Sequence, residues 1–284
     1  MKITNIHPQW GLDVSGTIHE ILELGGDYWR NIGYDKDIIL FRSLSNISDQ
    51  QLYKLCSYFG TPWTHEEYKY SREQAYDFEY EGSTCSLTRI SNKLSPRVGT
   101  SAMRWHADIP LRAPRSFPWR GLYMVSNPNP ETGLTSWLNM RTDLIGASKE
   151  EMDYYRRIDL TMHSWLEPGE EVCDRPFVKM DPIQNRESIS LNCYSTPEFP
   201  YMWIKNTRVD GIERDNTEIL QPIFDKLEQR ADLQYTHKWG THDFIMYNNW
   251  HMVHNRTKII IGENEVREFI RVNVDHDIGR PLYV

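Results

Sequence analysis

The sequence predicts a mainly β protein, a β-sandwich or jelly roll with flanking helices. Short runs of apolar and β-branched residues recur along the chain and are separated by turn residues, which is typical of such folds. Only a few segments have the capping signals and apolar spacing of helices. The 284 residues contain no repeat, no low-complexity tract and no linker. We therefore expect a single domain over residues 1–284.

Eight short segments are predicted to be strands. Each is a short run that is apolar throughout or alternates between apolar and polar residues. Taken in chain order, strands are expected at 37–41, 122–125, 135–139, 158–162, 188–192, 232–238, 244–247 and 268–274.

Two of the helices begin with a capping box, in which a serine and the glutamine or glutamate three residues later satisfy each other's free backbone N–H groups. These pairs are Ser48 with Gln51 and Ser148 with Glu151. Gly60 is the expected stop of the first of these helices.

Two other helices are bounded by different signals. Asp215 is the expected cap of one, in which Pro222 would mark either a kink or the true start. Residues 21–24 are expected to close a short helix, with Gly25 and Gly26 as its stop.

The segment 64–104 is long and lacks a clear period, and its part 66–81 is acidic and rich in tyrosine. Long irregular segments inside compact domains are often functional. Because this segment leads directly to the histidine motif described below, we interpret it as a lid-like insertion.

Composition excludes several classes of protein. Hydrophobic residues make up 39% and charged residues 25% of the chain, as in globular proteins. The net charge is −8 and no block of Lys and Arg stands out, so a nucleic-acid partner is not expected. No secretory signal or membrane-spanning run is present, and we expect a cytoplasmic protein without a membrane partner. The four cysteines lack metal or disulfide spacing and are expected to be reduced thiols.

The tetrapeptide 105–108, Trp-His-Ala-Asp, is the strongest local sign of chemistry. On a strand, residues i and i+2 point to the same side, so His106 and Asp108 can reach one metal ion. An imidazole and a carboxylate are two corners of the facial triad that holds non-haem Fe(II) with positions left open. His-x-Asp alone is weak evidence, because most such tripeptides are solvated strand ends.

A facial triad needs a second histidine, and the chain has ten. The candidates after the later strands are His237, His242, His251 and His254. Spacing alone does not choose between His251 and His254. A lone histidine in an aromatic-rich stretch is more often structural than a metal ligand.

The expected strand 268–274, with the residue before it, places Arg267 and Arg271 on one face and Ile270, Val272 and Val274 on the other. The apolar face suits packing beneath a helix. Two arginines on an inner face are costly unless anions meet them. Internal carboxylates are one explanation, and an anionic cosubstrate beside a metal site is the other.

With these motifs together, the chain resembles the taurine/2-oxoglutarate dioxygenase (TauD/TfdA-like) family of Fe(II)- and 2-oxoglutarate-dependent oxygenases. Five pieces occur in the family's order. They are the strand 38–42 with its following helix, Trp-His-Ala-Asp at 105–108, the threonine-containing strand 132–140, the element 243–257, and the two closing arginines.

The resemblance implies a double-stranded β-helix (jelly roll) core and settles the histidine in favour of His254. It implies that His106, Asp108 and His254 hold Fe(II), and that Arg267 and Thr135 bind the distal carboxylate of 2-oxoglutarate.

Arg271 would meet the other carboxylate or the substrate. The weaker substrate-pocket candidates are Trp105, Asn192, Tyr194, Trp203 and Trp250.

The chain departs from the family in places that bear on its substrate. Ser101 and Ala102 stand where the taurine enzymes carry sulfonate-binding residues, which argues against taurine. Leu134 replaces an aspartate but Thr135 is kept. Because Asp108 is present, a halogenase is not expected.

The resemblance implies an enzyme that uses O₂ and 2-oxoglutarate to hydroxylate a C–H bond of a small organic acid or amino acid, releasing succinate and CO₂. The same residues would serve desaturation or cyclisation in a biosynthetic pathway. A Zn²⁺ hydrolase would leave Arg267 and Thr135 without a role, and a non-catalytic jelly-roll binding protein would be expected to lack part of the site. Whether the chain forms a homo-oligomer is left open.

Overall fold

The structure is a computed structural model that describes residues 1–68, 74–94, 100–108, 118–164, 171–181, 183–190 and 202–275. Strands dominate these residues. In chain order they are β1 (Lys2–His7), β2 (Gly11–Ser15), β3 (Ile38–Arg42), β4 (Thr61–Pro62), β5 (Gln74–Tyr80), β6 (Ser83–Ser91), β7 (Met103–His106), β8 (Trp119–Ser126), β9 (Thr135–Asn139), β10 (Ile158–Ser164), β11 (Glu171–Pro176), β12 (Val178–Asp181), β13 (Arg186–Ile189), β14 (Met202–Val209), β15 (Ile212–Arg214), β16 (Gln234–His237), β17 (Phe244–Asn248), β18 (Met252–Arg256) and β19 (Glu268–Asp275).

Two sheets form the jelly roll. The large sheet has the order β1-β2-β3-β17-β8-β19-β6-β5, with β4 paired to β19. All its neighbours are antiparallel except β2 and β3. The small sheet has the order β16-β9-β18-β7 and is antiparallel throughout. The expected jelly-roll class is confirmed.

Further strands lie outside the roll. A third sheet has the order β11-β10-β14-β15, and β12 and β13 form a separate hairpin. Within the described ranges, this hairpin is bridged to a neighbouring segment only by an isolated β-bridge between Ser188 and Arg141.

The helices cover the sheets. They are α1 (Ile18–Glu23), α2 (Gly25–Lys36), α3 (Asp49–Ser57), α4 (His65–Tyr68), α5 (Thr142–Ile145), α6 (Lys149–Tyr155) and α7 (Asn216–Glu228). Both predicted capping boxes are present, at the starts of α3 and α6. None of the helices in the described ranges is long and apolar enough to cross a membrane.

Three buried clusters hold these layers together. The outer core of the large sheet packs α1, α2 and α3 against residues such as Phe244 and Val272. The inter-sheet core lies inside the roll and joins Trp137 and Met252 of the small sheet to Tyr247 and Phe269 of the large sheet. The outer core of the small sheet packs α6, α7 and the third sheet against its other face. The small sheet is therefore buried on both faces.

Several element boundaries differ from the sequence expectation. Gly25, expected to stop the first helix, instead begins α2, with a positive φ of 78° that glycine adopts without strain. Pro222 lies inside α7, whose start is set by Asp215 accepting from the N–H groups of Thr217 and Glu218. The strand expected at 232–238 is shortened to β16 by a 3₁₀ turn over Ala231–Leu233.

The strand expected at 188–192 corresponds to β13, which begins at Arg186 and ends at Ile189. Residues 191 and 192 lie outside the described ranges.

The expectation of an irregular segment over 64–104 is wrong for much of its length. Residues 65–68 form α4, and β5 and β6 form a hairpin that joins the large sheet through β19. The hairpin extends the large sheet at its edge, and the lid role of 64–104 stays a prediction. Residues 69–73 and 95–99 lie outside the described ranges, so the lid prediction is not addressed there.

Candidate metal and cosubstrate site

Two histidines face each other across neighbouring strands of the small sheet. β7 and β18 are antiparallel, and His106 is the direct register partner of His254. Their ring centroids are 4.2 Å apart. The register of this strand pair therefore brings together two residues separated by nearly 150 positions in the sequence.

Asp108 completes the cluster from just beyond the end of β7. Its Oδ2 lies 3.5 Å from Nε2 of His254. Ligand atoms of His106, Asp108 and His254 all lie within 4.8 Å of one another, and these three form the one such group among the described residues. The three residues singled out from the sequence are thus adjacent in space.

The ionisation of these groups suits a divalent cation. Burial acts to raise the pKa of Asp108, but the charge of Arg120 and then those of the two histidines outweigh it and lower the pKa to about 2. Burial lowers the pKa of His254 to about 3, with further lowering from His106. At neutral pH the site therefore offers an ionised carboxylate and a neutral imidazole, the forms that bind metals.

The second ring nitrogens of the two histidines differ in their surroundings. Nδ1 of His106 donates to the carbonyl of Arg104 over 2.6 Å, which leaves its Nε2 as a free lone pair. Nδ1 of His254 is buried and has no hydrogen-bond partner within the described part of the chain. Two nitrogen lone pairs and a carboxylate that converge in this way fit an Fe(II) ion bound by a facial triad.

Three residues that sequence reasoning missed hold Asp108 in place. Asn249 brackets its backbone, accepting from its N–H over 3.0 Å and donating to its carbonyl over 2.7 Å. Arg120 forms an ion pair with its carboxylate. Tyr247 donates its hydroxyl to Oδ2 over 3.3 Å. Arg120 could have been found by starting the second predicted strand at 119 rather than at 122, since alternation then turns Arg120 inward with Leu122.

Arg267 is a buried guanidinium with few partners. It is 2% exposed, donates to the carbonyl of Gly133 over 2.8 Å and stacks on Phe269 with 4.7 Å between Cζ and the ring centre. Among the described residues its Nε has no hydrogen-bond partner, and no carboxylate pairs with the guanidinium. Burial and the nearby Arg256 lower its pKa to about 9. A cation in this state favours an external anion over the internal salt bridges considered from the sequence.

Thr135 lies on the inner face of the small sheet, two residues after Gly133, whose carbonyl accepts from Arg267. It is 5% exposed, and its Oγ1 accepts from Nε1 of Trp239 over 2.8 Å. This bond occupies a lone pair of the hydroxyl oxygen, so the O–H of Thr135 can still donate to another group. The approach of Arg267 to the chain here depends on Gly133, where an added Cβ would lie 3.1 Å from Cζ of Arg267.

Arg271 follows Phe269 on the inner face of β19, as expected, while Ile270, Val272 and Val274 pack in the outer core of the large sheet. Burial lowers the pKa of Arg271 to about 10, opposed by Tyr68. Asn273, next on the same face, is fully buried, and neither polar atom of its side chain has a hydrogen-bond partner in the described segments.

The weaker pocket candidates fare differently. Trp105 packs in the outer core of the small sheet, on the opposite face from His106, and its Nε1 donates to Glu228 over 2.9 Å. This position argues against a place for Trp105 in the substrate pocket. Trp250 is 5% exposed and lies under Nζ of Lys179 at 4.7 Å. Asn192, Tyr194 and the side chain of Trp203 lie outside the described residues.

His251, the alternative ligand left open by spacing, has a different environment. It is fully buried, its Nδ1 donates to Asp37 over 2.6 Å, and its Nε2 lies 3.4 Å from Asp181. Arg141 and Asn139 also bind Asp37. His251 thus belongs to a structural network and not to the metal cluster.

A jelly roll that carries a His-Asp-His cluster and a buried arginine defines the class of 2-oxoglutarate-dependent non-haem-iron dioxygenases. The sequence profile of the taurine catabolism dioxygenase TauD, TfdA family matches residues 2–273. The chain belongs to this family. No curated protein matches the chain.

Solved structures show the same fold at low sequence identity. AAD-2, in complex with Mn(II) and N-oxalylglycine, is 17% identical with a TM-score of 0.67, covering 97% of each chain. A putative alpha-ketoglutarate-dependent taurine dioxygenase from Burkholderia xenovorans is 17% identical with a TM-score of 0.68, covering 97% of this chain and 93% of that one. PvcB from Pseudomonas aeruginosa is 15% identical with a TM-score of 0.68, covering 96% and 91%.

Proposed function

We propose that this dioxygenase hydroxylates an unactivated C–H bond of a small organic acid or amino acid, with release of succinate and CO₂. His106, Asp108 and His254 hold Fe(II) in this proposal. The observation that carries it is the convergence of their ligand atoms within 4.8 Å. Two neutral nitrogens and one carboxylate on one side of an ion leave the remaining positions for a cosubstrate and O₂.

Arg267 and Thr135 bind the distal carboxylate of 2-oxoglutarate in this proposal. The support is that Arg267 is buried without a carboxylate partner among the described residues, and its unpartnered Nε is available to an anion. A guanidinium binds a carboxylate through two parallel hydrogen bonds. The hydroxyl of Thr135 supplies a third donor.

An acidic substrate is favoured by Arg271. Its guanidinium lies on the inner face of β19, one alternation beyond Phe269, and burial lowers its pKa to about 10. A half-buried guanidinium on this inner face binds a carboxylate or sulfonate through two parallel hydrogen bonds. Alanine at position 102 still argues against taurine. Desaturation and cyclisation would use the same residues, so the products of the reaction separate these outcomes.

The chain's own residues orient the reactants and exclude water. Bound iron would supply the activation of O₂ and the oxidising power for attack on the C–H bond. Arg267 and Thr135 would hold the far end of 2-oxoglutarate at a fixed distance from the triad. The buried inter-sheet core, with Trp137 and Phe269, would help to exclude water from the site.

Several broader expectations belong to the same proposal. We propose that residues 1–284 act as one domain and that the enzyme is cytoplasmic, with a small molecule as its partner. The insertion around 64–104 would act as a lid over the site in this proposal. A Zn²⁺ hydrolase and a non-catalytic binding protein, the alternatives raised by the sequence, would both show no response to 2-oxoglutarate.

The proposal is tested by adding 2-oxoglutarate to the Fe(II)-loaded protein without oxygen. Chelation should produce a visible metal-to-ligand charge-transfer band. Asp108→Ala should abolish metal binding and the band. Arg267→Met should keep the metal and weaken 2-oxoglutarate binding by about 30-fold or more, as expected for loss of about 2–5 kcal/mol at a buried charge contact.

A matched control is Arg157→Met, which removes an exposed arginine paired with Asp210. It should bind 2-oxoglutarate like the wild type. No band in protein shown to contain iron would overturn the oxygenase assignment. If the band forms, small acids can be screened for substrate-dependent succinate release, and products from neutral compounds only would overturn the acidic substrate class.

A further inference from the structure

Arg120 is an arginine placed on the inner face of the roll beside the proposed metal site. It is 3% exposed and lies near the start of β8. In the sheet ladder its direct partners are Tyr247 on β17 and Asn273 on β19. Its position is therefore set by two central strands of the large sheet, a rigid part of the fold.

The ion pair of Arg120 is made with the metal-binding carboxylate itself. Its Nη1 contacts Oδ2 of Asp108, the same oxygen that accepts from the hydroxyl of Tyr247. This oxygen also lies 3.5 Å from Nε2 of His254. Two neighbouring strands of the large sheet thus reach across the interior and bind one oxygen of a residue near the small sheet.

Asp108 needs such support because of where it lies. β7 ends at His106, so Asp108 has no strand partner of its own. Asn249 holds its backbone through two hydrogen bonds. Those bonds leave the side-chain torsions free, and a carboxylate can then turn away from the histidines. Arg120 and Tyr247 are the described residues that restrain the carboxylate group.

We propose that Arg120, assisted by Tyr247, is a positioning residue that keeps the carboxylate of Asp108 turned toward His106 and His254. The inference rests on the proposed facial triad and adds a role for residues outside it. The planar guanidinium is suited to the task because it stays charged and binds a carboxylate with a fixed geometry, which a lysine ammonium does not impose. Groups that orient metal ligands commonly change metal affinity by about 10- to 100-fold when they are removed.

A purely electrostatic role for Arg120 predicts the opposite sign. A guanidinium close to a bound cation repels it, so removal of the charge alone would tighten metal binding. Loss of ligand orientation would weaken it. The direction of the change in metal affinity therefore distinguishes positioning from simple charge balance.

The test is titration of the metal-free protein with Mn(II), an air-stable stand-in for Fe(II), with free Mn(II) followed by electron paramagnetic resonance. Arg120→Met should weaken Mn(II) binding by about 10- to 100-fold. Arg120→Lys, which keeps the charge but loses the fork, should recover part of this loss. Tyr247→Phe removes a single hydroxyl and should weaken binding by about five-fold, as expected for one hydrogen bond.

Tyr247→Phe also guards against a folding defect, because the phenylalanine ring keeps the packing of Tyr247 against Trp137. Arg157→Met serves again as the surface control, and circular dichroism of each variant checks the fold. If folded Arg120→Met and Tyr247→Phe bind Mn(II) as tightly as the wild type or more tightly, the positioning role is overturned. If the wild type itself binds no Mn(II), the proposed triad fails instead, so the two failures are distinguishable.

Discussion

The buried carboxylate of Asp37 tests whether burial, more than bond length, determines how much an ion pair contributes to the free energy of unfolding. Arg141 binds two carboxylates. It meets Asp37 at 3.1 Å, where Asp37 is fully buried, and Asp143 at 2.6 Å, where the Asp143 side chain is 56% exposed. Asp37 also accepts from His251 over 2.6 Å and from Asn139 over 2.9 Å.

Asp37→Asn removes the buried charge while keeping the size of the side chain. It weakens the hydrogen bonds from Arg141 and His251 to an ionised carboxylate, each worth about 1.5–3 kcal/mol, and leaves the guanidinium of Arg141 without its buried counter-ion. We therefore expect the free energy of unfolding to fall by about 3–5 kcal/mol. This is a large share of the about 5–15 kcal/mol that stabilises a typical domain.

Asp143→Asn is the matched control, because it breaks the shorter of the two bonds of Arg141 at an exposed position. The expected loss is about 0–1 kcal/mol, since solvent already screens that pair. Urea unfolding at neutral pH, followed by tryptophan fluorescence, measures both values. If the two variants lose equal stability, or if Asp143→Asn loses more, the reasoning from burial is refuted.

Three further predictions concern separate parts of the molecule. Gly133→Ala should lower the free energy of unfolding by about 1–3 kcal/mol and weaken 2-oxoglutarate binding, because the new Cβ would lie 2.7 Å from Ile259. Gly82→Ala is the control, since Gly82 has a similar positive φ but nothing within 4 Å of an added Cβ, and it should leave 2-oxoglutarate binding unchanged. Ser148→Ala should lower the free energy of unfolding by about 1 kcal/mol through loss of the capping box, and no loss would show that the cap is dispensable. Although burial opposes it, the charges of the network lower the pKa of Asp37, so its stabilisation is complete above the ordinary pKa of about 3.9 and is lost as pH falls through the lowered value. The stability difference between wild type and Asp37→Asn should therefore stay constant above about pH 5 and shrink in acid, and a difference that grows in acid would contradict this sign.

Local features were predicted well from the sequence. The capping boxes at Ser48 and Ser148 depend on atoms within three residues, so a short motif is enough to define them. The alternation in β19 also depends only on neighbouring residues, and both of its faces pack as expected, with Phe269 inside the roll. The class of the enzyme and its jelly-roll core were confirmed for a similar reason, because the family motifs recur in order along the chain.

The hairpin of β5 and β6 was missed because its sequence is misleading. Its first strand, 74–80, is rich in Tyr and acidic residues and exposes much of its surface, so the alternation of apolar residues is weak. Its place is set by pairing of β6 with β19, whose residues lie about 180 positions later in the chain. Propensity and periodicity carry no information on such a distant partner.

The sequence by itself determined the fold class, the family and the short list of residues expected to hold iron and 2-oxoglutarate, whose roles remain predictions. Only the tertiary structure decided which partners surround them. It separated His254, opposite His106, from His251, which binds Asp37, and it placed Arg120 against Asp108. The physical reason is that spacing along a strand defines which side a residue faces, whereas the register between distant strands defines what that residue meets there.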